Sequence, residues 1–274
     1  MSHAFESSAV EAALRETAEA HILPLFRNLA DGQVRTKSSA SDFVTDADVA
    51  AEEALTPRLK DLWPGSIVIG EEAAAARPDS VNALLGDGAF WIVDPIDGTR
   101  NFVHGSEHFG MMAVLVVDGR TRWSWIYAPI WDLTLVSEAG GGAYLNGERA
   151  RGRKAGDADA IAGEINRRGV ARLLDALSPL EASTPPLSRF HDHGSAAHGY
   201  LALARGEADF AVYGKMAPWD HAPGALVAAE IGGRSAFMDT GEAYAPRPWA
   251  DRALLSVADE SAWPRIRDGL LVKD

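Results

Sequence analysis

The chain has 274 residues, 47% hydrophobic and 24% charged, which is enough for one large domain or two closely packed subdomains. A formal net charge of −13 argues against a surface that coats nucleic acid, since such surfaces need stripes of Lys and Arg. It leaves a small phosphorylated substrate open, because bound cations can supply positive charge. The sequence has no cysteine, which excludes disulfides, thiolate metal sites and a cysteine nucleophile.

The N-terminal residues and the hydropathy pattern predict a cytoplasmic protein without membrane association. Glu6, Glu11 and Arg15 lie where a signal peptide would need an apolar core. No stretch approaches the roughly 18 apolar residues of a membrane-spanning helix. The absence of cysteine fits a reducing compartment.

Hydrophobic periodicity in the first half predicts two helices and then a series of strands. Apolar residues recur every three or four positions over 10–29, and a second helix is predicted over 46–62. Short apolar strands are predicted at 66–70 and 90–93. Three antiparallel strands with intervening turns are predicted at 111–117, 123–127 and 133–138.

The composition and the hydrophobic pattern of the sequence change after residue 150, which predicts a subdomain boundary. Residues 151–159 are charged or small and suit a hinge. We therefore divide the chain into an N-terminal α+β subdomain, 1–150, and a C-terminal α/β subdomain, 151–274. In the second half, short apolar runs alternate with helical stretches such as 195–205 and 222–231, which predicts a more parallel sheet.

The most informative segment is Asp94-Pro95-Ile96-Asp97-Gly98-Thr99, which follows the apolar run at 90–93. It places two carboxylates at the end of a predicted buried strand, where acids are rare unless a cation is bound. The proline removes one N–H and favours extended backbone before it, which can leave the Ile96 carbonyl free as an oxygen ligand. Gly98 permits a tight turn, and the Gly98 and Thr99 amides at the start of a helix would suit an anion. The oxygen ligands suit Mg²⁺.

A second acidic signal lies at 42–48. Asp46 is predicted to cap the following helix, and Asp48 to lie in its first turn, where the helix dipole favours a carboxylate. Capping explains these residues if they are read alone. Combined with the hexapeptide, Asp48 becomes a candidate to orient a water molecule.

Two further acidic signals have both a structural and a functional interpretation. Glu71 and Glu72 follow a predicted strand; alone they suggest a charged loop, although a strand end can also deliver a metal ligand. Asp220 is predicted to cap the helix at 222–231, and it can at the same time bind a metal or a substrate hydroxyl. Together the four acidic signals predict a site in which carboxylates bind metal ions and the metal ions bind a phosphate group.

Other reactive patterns point to no nucleophile. His191-Asp192-His193 has a chelating spacing, but imidazoles two residues apart in a loop are more often solvated or hydrogen-bonded. Ser195 lacks the Gly-x-Ser-x-Gly setting of a serine hydrolase. No glycine-rich nucleotide-binding loop precedes a helical pattern.

With these motifs in place, the chain resembles the inositol monophosphatases, a Mg²⁺-dependent, Li⁺-sensitive phosphatase superfamily, from about residue 8 to about 260. Five segments carry the resemblance, in the order seen in that family: Asp42 to Asp48, Gly70 to Glu72, Trp91 to Phe102, Gly194 to Ala197, and Trp219 to Gly224. The resemblance implies a layered α/β/α/β/α sandwich, a homodimer, and two or three Mg²⁺ ions for which Mn²⁺ can substitute.

The resemblance also implies roles for individual residues. The implied metal ligands are Glu71, Asp94, the Ile96 carbonyl, Asp97 and Asp220. The implied catalytic residues are Asp48, Glu71 and Thr99, of which Asp48 and Thr99 position or activate the attacking water. The implied substrate contacts are Asp97, Gly98, Thr99, Gly194, Ser195, Ala196, Tyr213 and Asp220. Lys37 matches a family lysine near the metal site, and Glu72 matches the second acid of a Glu-Glu pair.

One departure from the family concerns the substrate. Inositol-specific members have a Glu seven residues before the Asp of the Trp-Asp motif, where this chain has Tyr213, with Lys215 close behind it. Losing a hydroxyl acceptor and gaining a cation disfavours myo-inositol phosphate, without touching the phosphate chemistry. Lys215 and Arg189 could favour a second phosphate or another anionic group.

We therefore expect a Mg²⁺-dependent phosphomonoesterase that hydrolyses a small phosphorylated metabolite, such as an inositol or sugar monophosphate, with a metal-activated water and no phosphoenzyme. Histidinol phosphate, a 3′-phosphorylated nucleotide and fructose 1,6-bisphosphate are alternative substrates. An RNA-binding or transcription-complex factor, as some bacterial relatives are, is disfavoured by the negative charge. A Ca²⁺-stabilised structural protein is disfavoured by the lack of an EF-hand loop.

Overall fold

The structure, a computed structural model, describes residues 6–37, 43–154, 161–166 and 187–271. Part of the predicted hinge at 151–159 and Asp42 of the second acidic signal lie outside these ranges, as does the side chain of Arg189. No helix in the described ranges is both long and apolar enough to cross a bilayer.

The helices of the described residues are numbered α1 to α7 in chain order. They are α1 Ser7–Thr17, α2 Asp46–Leu62, α3 Glu71–Ala76, α4 Thr99–Val103, α5 Ala196–Ala204, α6 Pro218–Glu230 and α7 Trp263–Leu271. The predicted first helix is continued by a π-helical turn, Ala18–Ile22, and a 3₁₀ turn, Leu23–Leu25.

The strands form a two-stranded ribbon and two larger sheets. The ribbon pairs β1 Val34–Thr36 with β2 Phe43–Thr45. The strands of the larger sheets are β3 Ile67–Gly70, β4 Ala89–Asp97, β5 Gly110–Val117, β6 Arg120–Ala128, β7 Leu133–Glu138, β8 Gly142–Leu145, β9 Glu148–Arg149, β10 Ile161–Ile165, β11 Leu187–His191, β12 Phe210–Tyr213, β13 Arg234–Phe237 and β14 Leu254–Val257.

The first large sheet has the order β3-β4-β5-β6-β7-β8-β9, and only its β3–β4 pair is parallel. The predicted turn between the strands at 111–117 and 123–127 is confirmed, since Asp118 and Gly119 both have positive φ; Asn146 and Gly147, between β8 and β9, also have positive φ. The second sheet has the order β11-β10-β12-β14-β13. The prediction of a more parallel second sheet holds only where β10 pairs with β11 and β12, because β14 runs antiparallel to both of its neighbours.

The elements stack as five layers. Helices α1 and α2 cover one face of the first sheet, and α5 and α6 lie between the two sheets. Helix α7 covers the outer face of the second sheet. The α/β/α/β/α arrangement implied by the resemblance is therefore confirmed.

The apolar core joins the two halves of the chain. Its middle cluster combines Met112 and Ile126 of the first sheet with Tyr200 and Val227 of helices α5 and α6, and with Phe237 of the second sheet. All of these side chains are fully buried, and burial of one such side chain contributes about 1.5–3 kcal/mol. The strands of the first sheet all lie before residue 150 and those of the second after 160; the subdomain boundary itself stays a prediction.

Candidate functional site

A cleft of about 1260 Å³ opens where the end of β4 meets the starts of the four helices α3, α4, α5 and α6. Residues from all of these elements line it, including Glu71, Asp94, Thr99, Ser195 and Asp220. It contains the predicted site residues except Asp48, which lies behind Thr99, and Glu72. Residues as far apart in the sequence as Lys37 and Trp249 are thus brought to one place.

A bulge in β4 brings its two aspartates together. In a regular strand, residues three apart point to opposite faces. The pairing of β4 with β5 shifts register between Asp94 and Asp97, where Pro95 cannot donate a ladder hydrogen bond. Oxygens of both carboxylates and of Asp220 lie within 4.8 Å of one another.

Three converging carboxylates repel one another strongly. At an effective dielectric near 20, a pair about 4 Å apart costs about 4 kcal/mol. Burial raises the pKa of Asp94 and of Asp220 well above the usual range, and repulsion from Glu71 and Asp97 adds to it. Within the described part of the chain, the buried Asp94 Oδ1 has no hydrogen-bond partner. A set of hard oxygen donors with an unsatisfied member fits a divalent cation such as Mg²⁺.

The parallel pairing of β3 with β4 places Glu71 beside this cluster. Gly70, the last residue of β3, lies opposite Val93, so the acids that follow each strand share one edge of the sheet. Lys37 Nζ bridges Glu71 Oε1 at 2.7 Å and Glu72 Oε1 at 2.6 Å. Burial opposes the charge on Lys37, but the attraction of Glu71 and Glu72 and the hydrogen bonds to both together outweigh it and raise the lysine pKa.

Glu72 differs from Glu71 in its setting. Its carboxylate contacts Lys37, and Glu72 does not line the cleft. Burial raises the pKa of Glu72 to about 7, while the contact with Lys37 opposes this shift. The contacts of Glu72 are therefore those of a partner for Lys37.

The hydroxyl of Thr99 joins the cleft to the start of α2. Thr99 Oγ1 donates towards Asp48 Oδ1 at 3.1 Å and towards the Ile96 carbonyl at 2.9 Å. Asp48 Oδ2 in turn accepts hydrogen bonds from Thr45 N at 2.7 Å and Thr45 Oγ1 at 2.6 Å. Burial raises the pKa of Asp48 to about 6, against the hydrogen bonds from Thr45.

The helix starts differ in detail from the predictions. Asp46 was predicted as a cap, but it is the first helical residue, and Thr45 is the N-cap. Asp220 was also predicted as a cap, but α6 begins at Pro218, whose fixed φ suits a first helical position. Asp220 is the third residue of that helix, which leaves its carboxylate in the cleft.

Asp97 also connects the two halves of the molecule. Its carboxylate accepts hydrogen bonds from Ala196 N at 3.1 Å and Ala197 N at 2.8 Å, and it contacts Ser195 Oγ. Burial raises the pKa of Asp97 to about 6, although these hydrogen bonds, with that from Ser195 the strongest, act in the opposite direction. Asp97 thus fixes the start of α5 against the end of β4.

Gly98 is needed for the turn between β4 and α4. It has a φ of +82°, and a Cβ there would lie 3.0 Å from the His108 carbonyl oxygen and 3.1 Å from Ser195 Cβ. Both the backbone conformation and the space favour glycine. The turn allows Thr99 to begin α4 inside the cleft.

Tyr213 lines the cleft, but its hydroxyl lies against helix α5. A Cβ at Gly199 would overlap the Tyr213 oxygen, and the Tyr213 ring packs on Tyr200 and His221. Burial, followed by repulsion from the Tyr200 phenol and Glu164, raises the pKa of Tyr213. The hydroxyl has no hydrogen-bond partner among the described residues. The tyrosine therefore offers the cleft mainly its ring.

Away from the acidic cluster, the cleft wall carries Arg100, His193 and Lys215. His193 Nδ1 lies 2.9 Å from the buried Glu164 Oε1, an ion-pair distance, although the angle is not that of a hydrogen bond. The contact with Glu164 raises the pKa of His193, while burial opposes it. The His193 carbonyl accepts a hydrogen bond from Asn101 Nδ2 at 2.6 Å.

Sequence reasoning missed several residues that hold this cleft together, notably Glu52, Asn101 and Glu164. Each makes a contact with a residue 20 or more positions away. Glu52 and Glu164 lie outside the motifs that identified Asp94 and Thr99, whereas Asn101 lies within the segment from Trp91 to Phe102. A buried acid on a helix face, such as Glu52, was the one available signal, and it becomes meaningful only once the partners are known.

Comparison with known proteins shows the family of the chain. The family model described as "Inositol monophosphatase family" matches residues 4–267. An inositol-1-monophosphatase of Bacillus subtilis is 31% identical over 204 residues, covering 73% of this chain and 74% of the relative. The Nus factor SuhB of Escherichia coli is 28% identical over 235 residues, covering 82% and 86%.

Solved structures agree on the fold. A Thermotoga maritima IMPase superposes with a TM-score of 0.77 at 23% identity, covering 96% of this chain and 95% of the other. The chain therefore belongs to the inositol monophosphatase family.

Proposed function

We propose that this member of the inositol monophosphatase family is a Mg²⁺-dependent phosphomonoesterase for a small phosphorylated metabolite. The observation that carries the proposal is the convergence of Asp94, Asp97 and Asp220 within 4.8 Å, beside the hydroxyl of Thr99. An acidic cluster of this kind in an open cleft attracts a phosphate only when cations accompany it.

The residues proposed to hold two or three Mg²⁺ ions are Glu71, Asp94, the Ile96 carbonyl, Asp97 and Asp220. When bound, Mg²⁺ neutralises charge on the acids and the phosphate and acidifies water. Mn²⁺ is expected to substitute, because it accepts the same oxygen donors.

The chain's own residues would orient the reactants. Thr99 has one hydroxyl hydrogen for two acceptors, Asp48 and the Ile96 carbonyl, so its lone pairs remain for a water molecule. Asp48 fixes the direction of that hydroxyl, and its buried carboxylate suits a proton acceptor. We propose that Thr99 and Glu71 orient the attacking water and that the Gly98 and Thr99 amides bind phosphate oxygens.

The substrate's organic part would lie along Gly194, Ser195 and Ala196, towards the wall with Arg100, His193 and Lys215. Three cationic groups there favour a leaving group that carries a second phosphate or a carboxylate. The Tyr213 ring supplies an apolar surface in place of a hydroxyl acceptor. We propose that such substrates are hydrolysed faster than myo-inositol monophosphate.

Phosphate release from a substrate panel tests the proposal. The panel contains inositol and sugar monophosphates, histidinol phosphate, a 3′-phosphorylated nucleotide and fructose 1,6-bisphosphate, with Mg²⁺, with EDTA and with added Li⁺. We expect turnover only with Mg²⁺ and inhibition by Li⁺. Asp94→Asn should lower turnover at least 100-fold, whereas Asp79→Asn, an exposed control, should not. Turnover of Asp94→Asn within tenfold of the parent would refute the assignment.

The same experiment distinguishes the other class of function. If no phosphoester is hydrolysed and RNA is bound equally by the parent and by Asp94→Asn, the chain is a binding factor. We propose that the protein is a homodimer that binds no nucleic acid. Light scattering coupled to gel filtration tests the dimer.

A further inference from the structure

A buried carboxylate from α2 caps the short helix that carries Glu71. Glu52 Oε2 accepts a hydrogen bond from Glu72 N, and Glu52 Oε1 accepts one from Ala73 N, both at 2.8 Å. Glu52 is only 6% exposed. Its two oxygens therefore hold two successive peptide groups directly after Glu71.

The residue that would ordinarily cap this helix cannot do so. The N-cap position of α3 is Gly70, which has no side chain to accept from the first N–H groups. A Cβ at Gly70 would overlap the Glu52 carboxylate. The glycine thus leaves the space that Glu52 fills, and an acid 20 residues away supplies the missing acceptor.

The chemistry of Glu52 is specific for this contact. An ionised carboxylate offers acceptors on both oxygens, whereas a glutamine would direct an N–H₂ group at one of the two peptide N–H groups. Burial raises the pKa of Glu52 and repulsion from Glu71 adds to it, while the two amide hydrogen bonds oppose the shift. The two amide hydrogen bonds thus favour the ionised form of Glu52, against burial and against the repulsion from Glu71.

The contact determines where Glu71 lies. The Glu71 backbone is fixed on one side by the pairing of Gly70 with Val93 and on the other by Glu52. Its side chain meets Lys37 and the cleft. We propose that Glu52 is a positioning residue that sets the Glu71 carboxylate for Mg²⁺ binding; this rests on the proposed function of the cleft.

Calorimetric Mg²⁺ titration of the purified protein tests the proposal. Partners that orient a metal ligand typically change metal affinity 10–100-fold when they are replaced. We expect Glu52→Gln to weaken Mg²⁺ binding about tenfold or more. Glu52→Asp keeps the charge but cannot reach both amides, so it should not restore the affinity.

Glu53→Gln is the matched control, since Glu53 is the next residue on the same helix and is exposed. It should bind Mg²⁺ within about twofold of the parent, because it removes an equal charge without touching α3. In kinetics, Glu52→Gln should raise the Mg²⁺ concentration for half-maximal activity while its kcat at saturating Mg²⁺ falls less. Mg²⁺ affinity of Glu52→Gln within threefold of the parent would overturn the proposal.

Amide hydrogen exchange in the metal-free parent gives a result even if the variants fail to fold. The Glu72 and Ala73 amides should exchange at least about 100-fold more slowly than unprotected amides. Rapid exchange of both in the folded protein would contradict the cap. If the parent binds no Mg²⁺, the proposed function is wrong. If the parent and Glu52→Gln bind Mg²⁺ equally well, only the proposed role of Glu52 is wrong.

Discussion

Thr99 Oγ1 lies 3.1 Å from Asp48 Oδ1, although 51 positions separate the two residues. The contact exists because the first turn of α2 and the first turn of α4 meet behind the cleft. Asp48 is fixed by Thr45, and Thr99 is fixed by the tight turn at Gly98. A hydroxyl at the cleft surface is thus oriented from within the protein.

Replacing Thr99 by Val should lower kcat by about 10²-fold or more, since a positioned group for proton transfer contributes about 10²–10⁴. KM should change little, because the substrate's phosphate would still meet the backbone amides. The side-chain volume is nearly kept, so circular dichroism should show an unchanged fold. The measurement is steady-state phosphate release at saturating Mg²⁺.

Thr99→Ser is the matched control because it retains the hydroxyl. It should keep turnover within about tenfold of the parent. Equal losses in Thr99→Val and Thr99→Ser would show that the methyl group matters and that the hydroxyl does not.

The sequence predicted the parts of the site that depend on local pattern. The hexapeptide from Asp94 to Thr99 showed a buried strand, a tight turn and a helix start, and the structure has all three. The predicted helix at 46–62 is confirmed at its ends. Hydrophobic periodicity and turn residues determine these features directly.

Contacts between distant segments could not be read from local pattern. The cap that Glu52 provides for α3 and the ion pair of Glu164 with His193 depend on how helices and strands pack. The start of α6 was misplaced because Asp220 is a good cap in isolation, whereas Pro218 is a better first helical residue. Side-chain chemistry alone leaves such choices open until the tertiary contacts are known.

Ser195→Ala should destabilise the protein by about 1–2 kcal/mol. The Ser195 hydroxyl contacts Asp97, and its oxygen accepts a hydrogen bond from His198 N at 3.2 Å as the cap of α5. The variant loses both contacts at a buried position. Urea denaturation of the metal-free protein at neutral pH measures the change.

Ser80→Ala controls for the loss of a hydroxyl elsewhere, since Ser80 is partly exposed and outside the cleft. Its free energy of unfolding should stay within about 0.5 kcal/mol of the parent. If Ser195→Ala unfolds at the same urea concentration as Ser80→Ala, the Ser195 hydroxyl contributes nothing measurable to stability.

Gly98→Ala and Gly119→Ala separate backbone strain from lack of space. Both glycines have positive φ, +82° and +70°, but a Cβ at Gly119 meets nothing within 4 Å. Each replacement costs about 1–2 kcal/mol for the left-handed conformation. Gly98→Ala should cost at least about 1 kcal/mol more, because its Cβ crowds the His108 carbonyl and Ser195.

Only Gly98→Ala should also lose activity, since the turn at Gly98 places Thr99 in the cleft. Thermal or urea unfolding gives the stability difference, and phosphate release gives the second readout. Equal destabilisation by both variants would mean that the crowding at Gly98 is relieved without cost.

The ion pair of His193 and Glu164 should make stability depend on pH. The contact with Glu164 raises the pKa of His193 above its unfolded value of about 6.5, against the effect of burial. Below about pH 6.5 the imidazole is charged in both states and the ion pair stabilises the fold fully. As the pH rises through the raised pKa of the folded state, this contribution is lost. The parent should therefore lose free energy of unfolding relative to His193→Gln as the pH rises above about 6.5.

Urea denaturation at half-unit pH steps measures the free energy of unfolding of the parent and of His193→Gln. Taking the difference between the two proteins removes the contributions of groups that titrate alike in both. Glu164→Gln should flatten the same part of the curve, because it removes the largest contribution that raises the His193 pKa. His21→Gln is the control, as His21 lies on the first helical segment and outside the cleft; it should leave the slope unchanged.

His108 stacks on His193 with ring centroids 4.8 Å apart, and burial followed by repulsion from His193 lowers the pKa of His108. Removing His193 should therefore also let His108 titrate nearer its usual range. A parent curve parallel to that of His193→Gln over the whole interval would show that the contact with Glu164 does not raise the His193 pKa in the folded protein.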